Sequence, residues 1–330
     1  MQFKWICLFR IVGAFCIVVL HVSDDIMRKG VWHSLDSWTG LVVRASVQWA
    51  APAFIMVSGV LLLAPSKRYS LRTFYGRRAQ RILLPLLFWS AFYLLLNCHQ
   101  QDLGFSQVLA RLFHAWPHYH LWFLFVLAGL YLLTPPTRRL FVPLPPSQKA
   151  WLVVVFFAAS ALYTAINHAW LHWKYNALTY CIPYLSYYCA GHVLHESRLY
   201  KRISSTWLFI VSVLCIAVMV VGFYGLVESA GDIRRGYCAF SYFSPWGILL
   251  TLAAFLWFQK TETVGQFFVQ NHRTSFGVYL VHPLVLSFFV PYLHSVPAPI
   301  SLPILAIVTF GLSFVLSRTM LGTLGLRRFV

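Results

Sequence analysis

Long apolar runs restrict what this chain can fold into more than any other feature of its sequence. About ten of them follow one another with short links, and most approach the 20 residues that a helix needs to cross a bilayer. Only 10% of the residues are charged, against roughly a quarter in soluble domains. The pattern predicts an all-α, polytopic membrane protein, folded as one integral membrane domain over residues 1–330. The predicted transmembrane helices cover residues 5–23, 47–64, 82–97, 119–134, 150–167, 177–195, 206–227, 238–258, 275–291 and 300–319.

Basic residues are distributed unevenly among the links. The formal net charge is +18, from 26 Lys and Arg against eight Asp and Glu. In a soluble protein this excess would suggest a nucleic-acid partner, but here the basic residues lie in short segments between apolar runs, so no nucleic acid is expected. With the amino terminus inside, the inner segments hold 17 Lys and Arg and the outer segments seven. The positive-inside rule therefore predicts that both termini are cytoplasmic.

The first apolar run contains two ionisable residues, Arg10 and His21, which are costly in a bilayer and so mark a candidate site. Eleven residues of α-helix make three turns plus about 20°, so both side chains are expected on one face, roughly 16 Å apart along the axis. That face would offer an anion-binding guanidinium at one end and a titratable imidazole at the other. In the alternative interpretation, both side chains reach the two membrane interfaces and have no chemical role.

Five segments that follow this pair carry short motifs in a fixed order. They are AFIMVSG at 53–59, RRAQRILLP at 77–85, HLWFL at 120–124, YYCAG at 187–191 and SFGVYLVH at 275–282. With the Arg-x10-His spacing, they resemble the acyltransferase-3 family of integral membrane O-acyltransferases, which modify cell-surface polysaccharides. The chain is most similar to the subgroup that includes the O-acetyltransferase of enterobacterial common antigen. Two positions depart from the family pattern, since Cys7 and Pro52 stand where many members have Asp.

The resemblance implies the reaction and its participants. The donor substrate would be acetyl-CoA or another acyl-CoA, with no bound cofactor. The acceptor would be a hydroxyl of a cell-surface polysaccharide or of its lipid-linked precursor. The location would be the bacterial inner membrane, and a partner that completes the transfer would be a separate periplasmic chain.

His21 is the predicted catalytic base, because imidazole accepts and returns a proton near neutral pH, and it could instead carry the acyl group itself. Asp24 could orient the imidazole if the helix continues that far, as could Asp25; the alternative is a solvated helix end. Arg10, Arg78 and Arg81 are the predicted donor-binding residues, since guanidinium groups pair well with phosphate. Basic residues of this kind also serve only to set the topology.

Three further residues could line the same cavity: His120, His282 and Ser58. Packing roles are the alternative for both histidines, and for Ser58 the alternative is close helix approach through the neighbouring Gly59. No metal site is expected, because the histidines lack Cys or carboxylate at ligand spacing. A transporter or flippase for a glycan precursor is the competing function, although the sequence shows no inverted repeat.

Overall fold

A computed structural model describes residues 3–29, 31–64, 70–101, 104–167, 176–289 and 296–330. These residues form helices, turns and bends without any strand, which confirms the all-α fold class. Two compact units are distinguished, and they are described separately below. The prediction that residues 1–330 act as one functional domain stays a prediction.

Six segments of the described chain are long and apolar enough to cross a membrane. A seventh arises if the pair Ile233–Phe240 and Pro245–Gln259, bent by 45°, counts as one span, and Thr274–Phe289 is a shorter apolar helix. The protein is therefore a helical membrane protein, while the ten crossings and the cytoplasmic termini stay predictions. The six segments are Lys4–Arg28, Leu35–Leu62, Leu71–His99, Pro146–Ile166, Ser205–Ala230 and Ala298–Gly322.

The first unit comprises residues 1–54 and 198–320. Side-chain caps fix where several of its helices begin: the Ser34 hydroxyl accepts from the backbone N–H of Ser37, and Ser204 and Ser244 cap two later helices in the same way. Its helices are α1 (Lys4–Lys29), α2 (Leu35–Val47), the start of α3 (Ala50–Leu62), α10 (Ser205–Ala230), α11 (Ile233–Gly236), α12 (Pro245–Gln259), α13 (Gln266–Asn271), α14 (Thr274–Phe289) and most of α15 (Ala298–Gly322).

Helix α1 is the centre of this first unit. It contacts α2, α12, α13 and α14. Small and β-branched side chains of α1, among them Ala14, Val18 and Val22, form a buried cluster with residues of α14 and α15 such as Val278 and Leu302. Twenty-six helical residues without a break extend about 39 Å, so α1 is long enough to cross the bilayer.

The second unit comprises residues 55–197 and 321–330. The carboxy-terminal segment is fixed to helix α5 (Leu84–Gln101), because the indole N–H of Trp89 donates to the carbonyl of Phe329 over 2.9 Å. Its helices are the remainder of α3, α4 (Leu71–Arg78), α5 (Leu84–Gln101), α6 (Phe105–Phe113), α7 (Trp122–Leu140), α8 (Pro146–Ile166) and α9 (Leu185–Glu196).

Helices α3 and α9 touch through their backbones within this second unit. A Cβ atom added at Gly59 would overlap the carbonyl of Tyr188, and one added at Gly191 would overlap the carbonyl of Met56. Two apolar helices gain little from hydrophobic association in lipid, so close packing through glycine supplies attraction that larger side chains would prevent. The prediction of close helix approach through Gly59 is confirmed.

Candidate functional site

The structure places Arg10 and His21 on one uninterrupted helix, α1, as their predicted common face requires. Both side chains are half-buried, whereas the flanking Phe9, Leu20 and Val22 are buried. Arg28, near the end of α1, is eighteen residues or five full turns after Arg10 and so lies on the same face. One strip of α1 therefore presents a cation, an imidazole and a second cation in that order.

His21 is accompanied by His282 of α14. Their ring centroids lie 5.2 Å apart and their planes differ by 20°, a stacked arrangement. His282 is fully buried, and its Nδ1 lies 3.2 Å from the carbonyl oxygen of Val278. Since a carbonyl can only accept, that nitrogen carries a proton. The structure thus brings together two residues that the sequence placed 261 positions apart.

Arg10 belongs to a basic group near the amino-terminal end of α1, which the sequence had not indicated as a unit. His272 is buried between α13 and α14, and its Nδ1–H donates to the Val269 carbonyl over 2.9 Å. Burial lowers the pKa of His272, and the positive charges of Arg10 and Arg273 lower it further, although the hydrogen bond to Val269 raises it. The charges of Arg10 and Arg273 thus act on the same buried imidazole, and these two guanidinium groups would attract an anion there.

Asp24 is buried in α1 and forms an ion pair with Arg44 of α2. Arg44 also donates to the Gln48 side-chain oxygen over 3.1 Å, and its guanidinium lies 4.3 Å from the ring centroid of Phe240. The solvated helix end that was the alternative for Asp24 is wrong, because α1 continues to Lys29 and the carboxylate is only 8% exposed. Arg44 is not among the residues predicted for the site, although a lone cation within an apolar helix is a signal that a buried partner is needed.

Arg78 and Arg81 lie in the second unit at a change of helical type. Residues Ala79–Leu83 form a π-helical turn between α4 and α5. Pro85, the second residue of α5, has no N–H to donate to the carbonyl four residues back. The Arg78 side chain is half-buried with its guanidinium 5.5 Å from the Phe74 ring centroid, and Arg81 is exposed. Arg78 thus directly precedes a π-helical turn and Arg81 lies within it, and such turns are frequent at functional sites.

His120 and Ser58 also lie in the second unit. His120 is 1% exposed, and its Nδ1 lies 3.1 Å from Nδ1 of His118, whose ring stacks on Tyr93 with centroids 4.3 Å apart. Burial, with a smaller contribution from the positive charge of Arg111, lowers the pKa of His118 to about 4. Ser58 is half-buried beside the Gly59 contact. The structure gives both predicted cavity residues packing neighbours, and their cavity-lining roles stay predictions.

Comparison with known proteins assigns the chain to a family but supplies no close relative. A family model described as an acyltransferase domain, acyltransferase-3, matches residues 3–318. No curated protein and no solved structure matches. The match extends over most of both units, and it includes every residue discussed above for the site.

Proposed function

The chain belongs to the acyltransferase-3 family, and on that premise we propose that it is a membrane-bound O-acyltransferase. It moves an acetyl or another short acyl group from acyl-CoA to a hydroxyl of a cell-surface polysaccharide or its lipid-linked precursor. The bacterial inner membrane is the proposed location, and the enterobacterial common antigen type is the proposed subgroup. A separate periplasmic chain that completes the transfer is part of the proposal.

The observation that carries this proposal is the strip on α1 with Arg10 and His21 roughly 16 Å apart on one continuous helix. Acyl transfer from a thioester needs a base for the hydroxyl proton and a means of holding an anionic, nucleotide-bearing donor. An extended, largely uncharged pantetheine arm joins those two parts of the donor. With the nucleotide phosphates near Arg10, His272 and Arg273, the arm would follow α1 and bring the thioester to His21.

His21 acts as the base in the proposed reaction. Its imidazole accepts the hydroxyl proton while the sugar oxygen attacks the thioester carbonyl and forms the new C–O bond. The tetrahedral intermediate collapses, the C–S bond breaks, and the imidazolium gives its proton to the departing thiolate. The products are the O-acyl sugar and free CoA, so His21 ends in its starting state. If His21 instead takes the acyl group first, radiolabel would appear on the protein before it appears on the sugar.

His282 is a positioning residue in this proposal. Its ring stacks on His21, and its own orientation is set by the bond from Nδ1–H to the Val278 carbonyl. Stacking restricts the rotation of the His21 ring and so keeps one nitrogen directed at the acceptor. Asp24 would act indirectly. Its ion pair with Arg44 holds α1 against α2 three residues beyond His21.

The donor-binding residues are proposed to be Arg10, Arg78 and Arg81. Arg10 is supported by Arg273, since the charges of both arginines act on the buried imidazole of His272. Arg78 and Arg81 are supported by their place around the π-turn and by the suitability of guanidinium for phosphate. A guanidinium group pairs with phosphate oxygens, so replacing any one of these arginines should weaken donor binding.

The test uses the purified full chain in lipid nanodiscs with acetyl-CoA labelled in the acetyl group and a cell-surface glycan. We expect label on the glycan, a loss of about a hundredfold or more in transfer for His21→Ala, and unchanged CoA affinity. Arg10→Ala should weaken CoA binding instead. His99→Ala is the matched control, since His99 is an exposed histidine at the end of α5. Full transfer by His21→Ala would refute the mechanism, and glycan that crosses the bilayer unmodified would favour the flippase.

A further inference from the structure

A cavity of about 940 Å³ lies in the first unit beyond His21, where α1, α10 and α11 end or begin. The charged and aromatic residues in its wall are Arg28, Trp32, His33, Glu228, Arg234 and Tyr237. Cavities of this size hold small organic ligands, and this one combines aromatic rings with a few charged groups. No part of the proposed base or donor site uses it.

Glu228 organises the polar side of this cavity. Its Oε1 accepts from the indole N–H of Trp32 over 2.8 Å and lies 3.2 Å from Nε2 of His33. One carboxylate thus holds two rings from the link after α1 against the end of α10. A carboxylate on a cavity wall also accepts hydrogen bonds from hydroxyl groups, such as those of a sugar.

Trp32 is supported from behind by other aromatic rings. Its centroid lies 6.3 Å from that of Trp38 and 6.1 Å from that of Tyr224, with interplanar angles of 25° and 27°. The stack and the bond to Glu228 together fix the indole in place. A fixed, amphipathic ring of this kind presents an apolar surface at little entropic cost, which suits the flat apolar face of a sugar.

Two arginines, Arg28 and Arg234, complete the cavity wall and give it a net positive charge against the single carboxylate of Glu228. Guanidinium groups bind carboxylate or phosphate oxygens through two parallel N–H donors. The cavity therefore suits a ligand that carries both hydroxyl groups and an acidic group. A neutral sugar would offer no negative charge to either arginine.

The cavity and the proposed base lie along the same helix, α1. Arg28 follows His21 by seven residues, which is two turns, so both lie on one face about 10 Å apart along the axis. This distance is close to the length of one or two sugar units. A glycan with an acidic unit at Arg28 would place a neighbouring hydroxyl near His21.

We propose that this cavity binds an acidic segment of the acceptor glycan. The inference rests on the proposed transfer to a glycan, because it assigns the acceptor end of the same reaction. The shared chemistry is a polyhydroxylated unit with an anionic substituent, either a sugar carboxylate or a sugar phosphate. An anionic phospholipid headgroup is the competing occupant, and displacement by a phospholipid in the binding experiment below distinguishes it from the sugar.

Binding without any acyl donor tests the inference independently of catalysis. The protein in phosphatidylcholine nanodiscs is titrated by calorimetry with a galacturonic acid tetrasaccharide, a phosphorylated mannose oligosaccharide and maltotetraose. We expect at least one acidic probe to bind more tightly than maltotetraose, and the preferred probe identifies the acidic group. Arg234→Ala should weaken that binding about tenfold or more, as expected for loss of a charge-assisted bond. Glu228→Gln, which keeps the shape, should weaken the binding of maltotetraose, whose only polar groups are hydroxyls, more than the binding of the acidic probes, because the cavity wall becomes more positive.

Arg235→Ala is the matched control, since Arg235 is also exposed but does not line the cavity. It should change the affinity less than twofold, and its thermal unfolding should match that of Arg234→Ala. The inference is overturned if neither acidic probe binds, if Arg234→Ala and Arg235→Ala behave alike, or if phosphatidylglycerol in the disc displaces the sugar. Any of these results leaves acetyl transfer by the wild type, measured separately, as the test of the proposed function.

Discussion

Replacing Arg44 with methionine should destabilise the first unit far more than the loss of one surface charge does. The substitution keeps an unbranched side chain of similar length but removes the cation that pairs with Asp24. Both partners are buried, with 8% of Asp24 and 9% of Arg44 exposed, so water cannot replace the lost interaction. The same change also removes the donor to Gln48 and the cation above the Phe240 ring.

The expected loss of stability comes from the Asp24 carboxylate, which stays buried without its partner. An uncompensated buried carboxylate typically costs about 3–5 kcal/mol when its partner is removed. For a cooperative unit of this size, each kcal/mol lowers the melting temperature by roughly 2–4 °C. Arg44→Met should therefore lower the Tm of the first unit by roughly 6–20 °C. The double variant Asp24→Leu with Arg44→Met removes both charges and should recover most of this loss.

Thermal unfolding of the wild type, both single variants and the double variant in the same nanodiscs gives the coupling energy directly. Arg202→Ala, an exposed arginine of the first unit, is the control and should shift the Tm little. A shift for Arg44→Met no larger than that of the control would refute the reasoning. Strict additivity of the two single variants would refute it as well, because the pair would then have no interaction to lose.

Three further predictions concern other elements. Because the folded pKa of His118 is about 4 and its ordinary value is 6.5, the unfolded state binds the proton first, so stability should fall as the pH drops below 6.5. The loss reaches about 2 kcal/mol at pH 5 in thermal unfolding and disappears in His118→Gln; a pH-independent wild type would contradict it. Gly59→Ala should lower stability by about 2 kcal/mol or more through overlap with the Tyr188 carbonyl, whereas Gly225→Ala, in open space on α10, should raise it by about 0.5–1 kcal/mol; equal effects would contradict the contact. His282→Ala should lower kcat for acyl transfer about tenfold or more with little change in the KM for acetyl-CoA, and an altered KM alone would contradict a positioning role.

The sequence predicted the helical class and the common face of Arg10 and His21 because both depend only on local composition and helical period. All ten predicted runs fall at least partly on helices. Hydropathy counts residues without regard to backbone conformation, and this explains where the run lengths mislead. The run at 177–195 contains a helix only from Leu185 onward, since residues 177–184 form turns around Pro183. The break between α2 and α3 after Val47 also lies inside a predicted run, because hydropathy does not detect a change of backbone conformation.

Contacts between distant segments could not be predicted in this way. The pairing of Asp24 with Arg44, and the stacking of His21 on His282, depend on how α1 lies against α2 and α14. The motif at 275–282 indicated that His282 could line a cavity, but no spacing rule relates it to His21. The sequence did not indicate His272 as a site residue, because its significance comes from burial beside Arg10 and Arg273.

The glycine contacts between α3 and α9 have a consequence for motion. Gly59 faces the Tyr188 carbonyl while Gly191 faces the Met56 carbonyl, so the two backbones touch with no side chain between them to change rotamer. Such a contact cannot adjust by a change of side-chain rotamer, since sliding either helix by a fraction of an ångström drives a carbonyl into the opposite chain. Within the second unit, α3 from Ile55 onward and α9 must therefore move as one rigid body. Any opening in this unit that admits or releases a ligand has to bend the chain elsewhere, and the π-turn at Ala79–Leu83 is an element whose hydrogen bonds already depart from the regular ladder.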